Sequence, residues 1–103
     1  MDINHKKRIE ELITHVPVFI FMKGTVEEPA CQFSAHAVHL LQEAGAQNIE
    51  YFNVLEDEAM RQAIKDYTGW PTIPQVFIDG KFVGGADVLQ EIYDRGELKA
   101  MVA

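Results

Sequence analysis

Val18-Phe19-Ile20-Phe21-Met22 and the stretch that follows, Lys23-Gly24-Thr25-Val26-Glu27-Glu28-Pro29-Ala30-Cys31-Gln32-Phe33-Ser34, hold an unbroken apolar run, a polar loop and the only cysteine of the chain. A short, wholly apolar run reads as a strand covered on both faces. Beyond the loop, Ala37, Val38, Leu41 and Ala44 recur on one face of a helix predicted from about Ser34 to Ala44, with Gly45 closing it. Cys31 therefore stands where a buried strand hands over to a helix. Backbone N–H groups at a helix N-terminus stabilise an anion, and Lys23 adds a positive charge nearby. A thiolate so favoured is both a nucleophile and a soft metal ligand. The plainer reading, a small core residue, fits poorly, because Pro29, Gln32 and Ser34 flank the cysteine and no apolar stripe includes it.

Working outward, Ile9, Leu12, Ile13 and Val16 predict an amphipathic helix over roughly residues 3–15, ended by Pro17. After the central helix, Ile49 to Val54 reads as a second strand. Asp57 is placed to cap a third helix with Met60, Ala63, Ile64 and Tyr67 as its buried stripe, and Gly69 ends it. Trp70-Pro71-Thr72-Ile73-Pro74 is a rigid segment with two prolines. Gln75 to Ile78 is a strand, Asp79-Gly80 a two-residue hairpin turn, and Lys81 to Val83 the returning strand. Gly84-Gly85 breaks it. Asp87 and Gln90 have the spacing of a capping pair for a last helix, with Val88, Leu89 and Ile92 toward the core and Gly96 as its stop. The remainder to Ala103 reads as a short tail. The order α-β-α-β-α-β-β-α, with helices between the first strands, favours parallel pairing there and a right-handed crossover. One mixed four-stranded sheet with helices on both faces accommodates it, in a single domain over residues 1–103.

The bulk properties narrow the function. A chain of 103 residues, 48% hydrophobic, is large enough for one core without staples. Its net charge of −7 offers no basic stripe for phosphates, which opposes nucleic-acid binding. No apolar span is long enough for a membrane helix, and the first residues have no apolar signal-peptide core. One cysteine makes no internal disulfide, so a reducing compartment is the expected home, the cytoplasm or a mitochondrial matrix.

Three motifs in one order, Lys23-Gly24-Thr25 to Cys31-Gln32-Phe33-Ser34, Trp70-Pro71-Thr72-Ile73-Pro74-Gln75 and Gly84-Gly85-Ala86-Asp87, resemble the monothiol glutaredoxins, thioredoxin-fold proteins whose active motif is usually Cys-Gly-Phe-Ser. The resemblance spans nearly the whole chain. It implies a thioredoxin-like α/β fold, with Cys31 as the active thiol or iron ligand and Lys23 holding glutathione beside it. It further implies that Thr72, Ile73 and a cis Pro74 pair with the glutathione backbone. Arg61 would meet the glycine carboxylate, and Gly85, Ala86 and Asp87 the γ-glutamyl end. The residue chemistry agrees. Lysine and arginine suit a carboxylate. A helix N-terminus bared by two glycines suits the other carboxylate, and Asp87 suits the ammonium.

Two chemistries follow from one thiol. Disulfide exchange by a monothiol route needs only Cys31 and glutathione, since no resolving thiol exists. A [2Fe–2S] cluster usually takes about four thiolate ligands. One chain supplies one, so the arithmetic calls for two chains and two glutathiones: a cluster-bridged homodimer. The resemblance likewise implies carriage of such clusters in iron–sulfur assembly, weak glutathione-dependent reductase activity and a BolA-like partner, and cluster carriage is the reading adopted. Gln32 departs from the family's glycine and sets a long polar side chain next to the thiol. Two further readings stand beside these: a zinc site from Cys31 with His36 and His39, and an interaction module that binds neither glutathione nor iron.

Overall fold

The computed structural model describes residues 1–103. Helix α1 spans Ile3–Thr14 and strand β1 Val18–Met22; α2 follows at Gln32–Glu43 and β2 at Ile49–Asn53. A 3₁₀ turn at Val54–Glu56 leads into α3, Glu58–Thr68. Strands β3, Gln75–Ile78, and β4, Lys81–Gly84, precede α4, Ala86–Asp94, and α5, Leu98–Val102. The mixed four-stranded sheet has the order β2-β1-β3-β4. Strand β1 pairs in parallel with β2 from Val18 opposite Ile49, and antiparallel with β3 from Val18 opposite Ile78.

The apolar run explains the layering. Successive strand side chains point to opposite faces. Val18, Ile20 and Met22 join one core with α2, α4 and α5, while Phe19 and Phe21 join another with α1, α3 and Phe77. All five residues of β1 are buried, as a central strand with helices on both faces requires.

Several expectations are corrected. Strand β3 follows a helix but lies on the far side of β1 from β2 and runs antiparallel to β1, so α3 is not a parallel crossover connection. The tail carries helix α5, whose Leu98 and Val102 are buried in the α2/α4 core. Helix α2 begins at Gln32, with Cys31 itself as N-cap. Val54 belongs to the 3₁₀ turn rather than to β2. Asp87 and Gln90 form no capping pair: Gly85 is the N-cap of α4, no side chain caps it, and Gln90 bonds to Asp94 and His36. Val88 and Tyr67 are half-buried at the margins of their cores rather than within them.

Candidate functional site

The antiparallel register of β3 builds the site. Gln75 lies opposite Phe21, so the preceding Ile73–Pro74 segment sits at the C-terminal end of β1, where the chain enters the Lys23–Cys31 loop. The Ile73–Pro74 bond is cis. Neither backbone group of Ile73 has a partner within the chain, which leaves one N–H and one C=O for an extended peptide.

The loop closes on itself. Ala30 N–H donates to Lys23 O at 2.8 Å and Thr25 N–H to Glu28 O at 3.2 Å. Gly24 has φ +88°, and a β-carbon there would come within 2.5 Å of both Ala30 N and Glu28 O. Only glycine fits such a crossing.

Cys31 occupies extended backbone, φ −150° and ψ 153°, at the N-cap of α2. It is half-buried, and its surroundings are polar. Ser34 N–H donates to Sγ at 3.4 Å, and the Ser34 hydroxyl lies 3.5 Å from Sγ. The same hydroxyl oxygen accepts from Lys23 N–H at 3.1 Å. Partial burial pushes the thiol pKa up, but the Ser34 hydroxyl, the Ser34 and Phe33 N–H groups and the Lys23 charge together outweigh it, and the pKa falls below 9.0. Each of those groups favours the anion. The site therefore yields a partly exposed, acidified thiol.

Beside it runs a groove of about 250 Å³ lined by Phe33, Trp70, Thr72, Ile73, Pro74, Gly85, Ala86, Asp87 and Val88. Six of the sequence-predicted residues meet there: Thr72, Ile73, Pro74, Gly85, Ala86 and Asp87. A β-carbon on Gly85 would stand 3.2 Å from Pro74 O, so glycine keeps the two walls close. The first intrahelical bond of α4 runs from Leu89 N–H to Gly85 O; with no side-chain cap, the N–H groups of its first turn are unpaired within the chain. Asp87 is exposed beside them. Cys31 and Lys23 are joined through Ser34 and lie outside this lining, and so does Arg61, which sits half-buried on α3 with Glu58 at 3.9 Å. His36 bonds to Gln90 on α4 and His39 faces Glu43, so neither converges on Cys31, and no three metal-ligating side chains of the chain come together. A wider cleft between α1 and β2, about 410 Å³ and lined in part by Arg8, His15 and Glu50, contains none of the candidate residues.

Sequence reading passed over Ser34 and Gln75. Ser34 is fully buried at a helix start, where a hydroxyl so close to a cysteine was the available signal. Gln75 is fully buried in β3; its Nε2 donates to Trp70 O at 2.9 Å and Thr72 O at 3.2 Å, and its Oε1 accepts from the Thr68 hydroxyl at 2.8 Å. One amide thus holds the segment that forms the groove's floor. A lone polar residue in an otherwise apolar strand was its signal. Phe33, 55% exposed, forms one wall of the groove.

A family profile for glutaredoxins matches residues 18–83. An uncharacterised monothiol glutaredoxin of Porphyra purpurea is 45% identical over 104 residues, covering 99% of this chain and 94% of its own. The chain belongs to the monothiol glutaredoxins. Its glutaredoxin-related relative in Danio rerio, protein 5, is mitochondrial and is 45% identical over 93 residues, 90% of this chain and 60% of that protein. The solution structure of reduced poplar apo GrxS14 superposes with a TM-score of 0.82 at 42% identity, covering 94% of this chain and 88% of that one. A buckwheat glutaredoxin solved with glutathione superposes at 0.82 with 25% identity, covering 99% and 93%. The thioredoxin-like fold read from the motifs is therefore this glutaredoxin's fold. None of its helices is long and apolar enough to cross a membrane.

Proposed function

We propose that this monothiol glutaredoxin binds glutathione along the groove and carries a [2Fe–2S] cluster as a homodimer bridged by Cys31 of each chain and two glutathiones. The observation that carries the reading is the half-buried, acidified N-cap thiol beside a groove whose donors match a tripeptide with two carboxylates and one ammonium. Thr72, Ile73 and Pro74 would align the tripeptide backbone, with the unpaired groups of Ile73 as the main-chain contacts. The first turn of α4, at Gly85 and Ala86, would take the γ-glutamyl carboxylate, and Asp87 its ammonium. Lys23 and Arg61 would meet the glycine carboxylate. A thiolate is a fitting ligand for such a cluster, and the chain's single cysteine makes a second chain and borrowed thiols necessary.

Anaerobic reconstitution with iron, sulfide and glutathione tests this. The expected result is a brown dimer that forms only with glutathione and not from Cys31→Ser. A cluster that assembles without glutathione, or on a monomer, overturns it.

The acidified thiol also supports a second reading, weak reduction of glutathione mixed disulfides. Cys31 thiolate would attack the glutathione sulfur of the mixed disulfide and release the other thiolate, leaving Cys31 joined to glutathione. A second glutathione thiolate would then attack that sulfur, regenerating Cys31 and giving glutathione disulfide. Turnover of a small glutathione mixed disulfide measures it. A chain that neither holds a cluster nor reduces the disulfide is an interaction module.

A further inference from the structure

The Lys23–Ala30 loop is closed by its own hydrogen bonds and rests on the α2/α4 core through Val26, so the set of its root depends on what ties Lys23 and Gly24 to the rest of the chain. Two ties appear at its root. Lys23 N–H reaches Ser34 Oγ on α2. Gly24 N–H reaches the side-chain Oδ1 of Asn53 at 2.9 Å. The backbone ladder between β1 and β2 ends at Met22 opposite Asn53, so this side chain extends the pairing past the last strand residue. The same Oδ1 accepts from Leu55 N–H at 3.1 Å, in the 3₁₀ turn that leads into α3. The segment bearing Lys23 and the segment running into the helix that bears Arg61 are thus fastened to one oxygen.

We propose that Asn53 is a positioning residue: its carboxamide oxygen holds the root of the thiol loop so that the Lys23 ammonium faces Cys31 and the anionic substrate bound there. The assignment rests on the reading that Lys23 serves an anion at the thiol. A backbone N–H in a loop has no sheet neighbour to define its place, and an acceptor locked by a second donor supplies a rigid reference point. Without it, the loop keeps its internal bonds, the Ser34 tie and the Val26 packing, and its root loses the one bond that sets it against the end of β2. The Lys23 charge then moves relative to the sulfur while the groove of β3 and α4 stays as it is.

The test needs no glutathione and no cluster. Cys31 is alkylated with anionic iodoacetate and with neutral iodoacetamide, and the ratio of the two rates is taken. The thiolate fraction cancels in that ratio, which leaves the local charge. In the native background Lys23→Gln should lower the ratio about threefold at low salt. In Asn53→Asp, which retains Oδ1 as an acceptor, Lys23→Gln should lower it by the same factor. In Asn53→Ala, Lys23→Gln should change it little, because the charge has already left the sulfur. Circular dichroism checks that each chain folds; should Asn53→Ala unfold, Asn53→Ser, one bond shorter, takes its place with the same expectation. An equal drop in all backgrounds, or none in the native one, overturns the proposal. Failure of cluster reconstitution would sink the carrier reading and leave this result standing.

Discussion

Ser34→Ala is the substitution that most directly probes the thiol. The Ser34 hydroxyl lies 3.5 Å from Sγ and accepts from Lys23 N–H, so removing it takes one donor from the sulfur anion and one acceptor from the loop. A hydrogen bond to a charged group contributes about 1.5–3 kcal/mol, and partial exposure of Cys31 reduces that to about 1 kcal/mol. At pH below the folded pKa the thiolate fraction should then fall about fivefold. The rate should fall less, because a more basic thiolate is intrinsically more nucleophilic, with a Brønsted slope of about 0.4–0.5. Attack on a small neutral disulfide should therefore be about two- to threefold slower in Ser34→Ala on the acid side of the folded pKa, and about twofold faster on the alkaline plateau. The two pH–rate curves cross. Rates measured by stopped flow from pH 6 to 10 decide the matter. Curves that superpose, or a variant slower at every pH, would refute the claim that the hydroxyl stabilises the anion.

Three further outcomes are expected. Gln75→Leu should cost about 2–3 kcal/mol in urea unfolding, because it removes three buried hydrogen bonds around Trp70, Thr72 and Thr68; a loss under about 0.5 kcal/mol would show that the segment holds itself. Gln32→Gly should slow cluster loss from the reconstituted dimer, since Gln32 is exposed next to the thiol; equal or faster loss rejects a crowding role. A thiol whose folded pKa lies below its unfolded value stabilises the fold fully above the unfolded value and loses that contribution as pH falls through the folded one. The stability of the native chain relative to Cys31→Ser should therefore rise with pH from the folded pKa up to about 9.0, as read from unfolding at pH 7, 8 and 9; a flat difference argues that Cys31 is not acidified.

Much of the architecture was legible because local chemistry decides it. Five apolar residues in a row need cover on both faces, and β1 has it. Asp79-Gly80 has the residues of a turn with two positive φ angles, and both are positive, 52° and 77°. Asp57 caps α3 through Met60 N–H, as its position promised. A cysteine at a strand–helix junction needed no tertiary information to be suspected. What the residues alone determined about this protein, then, is where the four strands and the first four helices lie, which of their faces are apolar and where the thiol stands. Only the tertiary structure decided that β3 runs against β1 and brings Ile73 and Pro74 to the thiol's end of the sheet, that Leu98 and Val102 fold back as α5, and that Asp87 is free of capping duty beside the groove. The physical reason is that side-chain periodicity specifies a buried face but not the neighbour that covers it or the direction in which that neighbour runs.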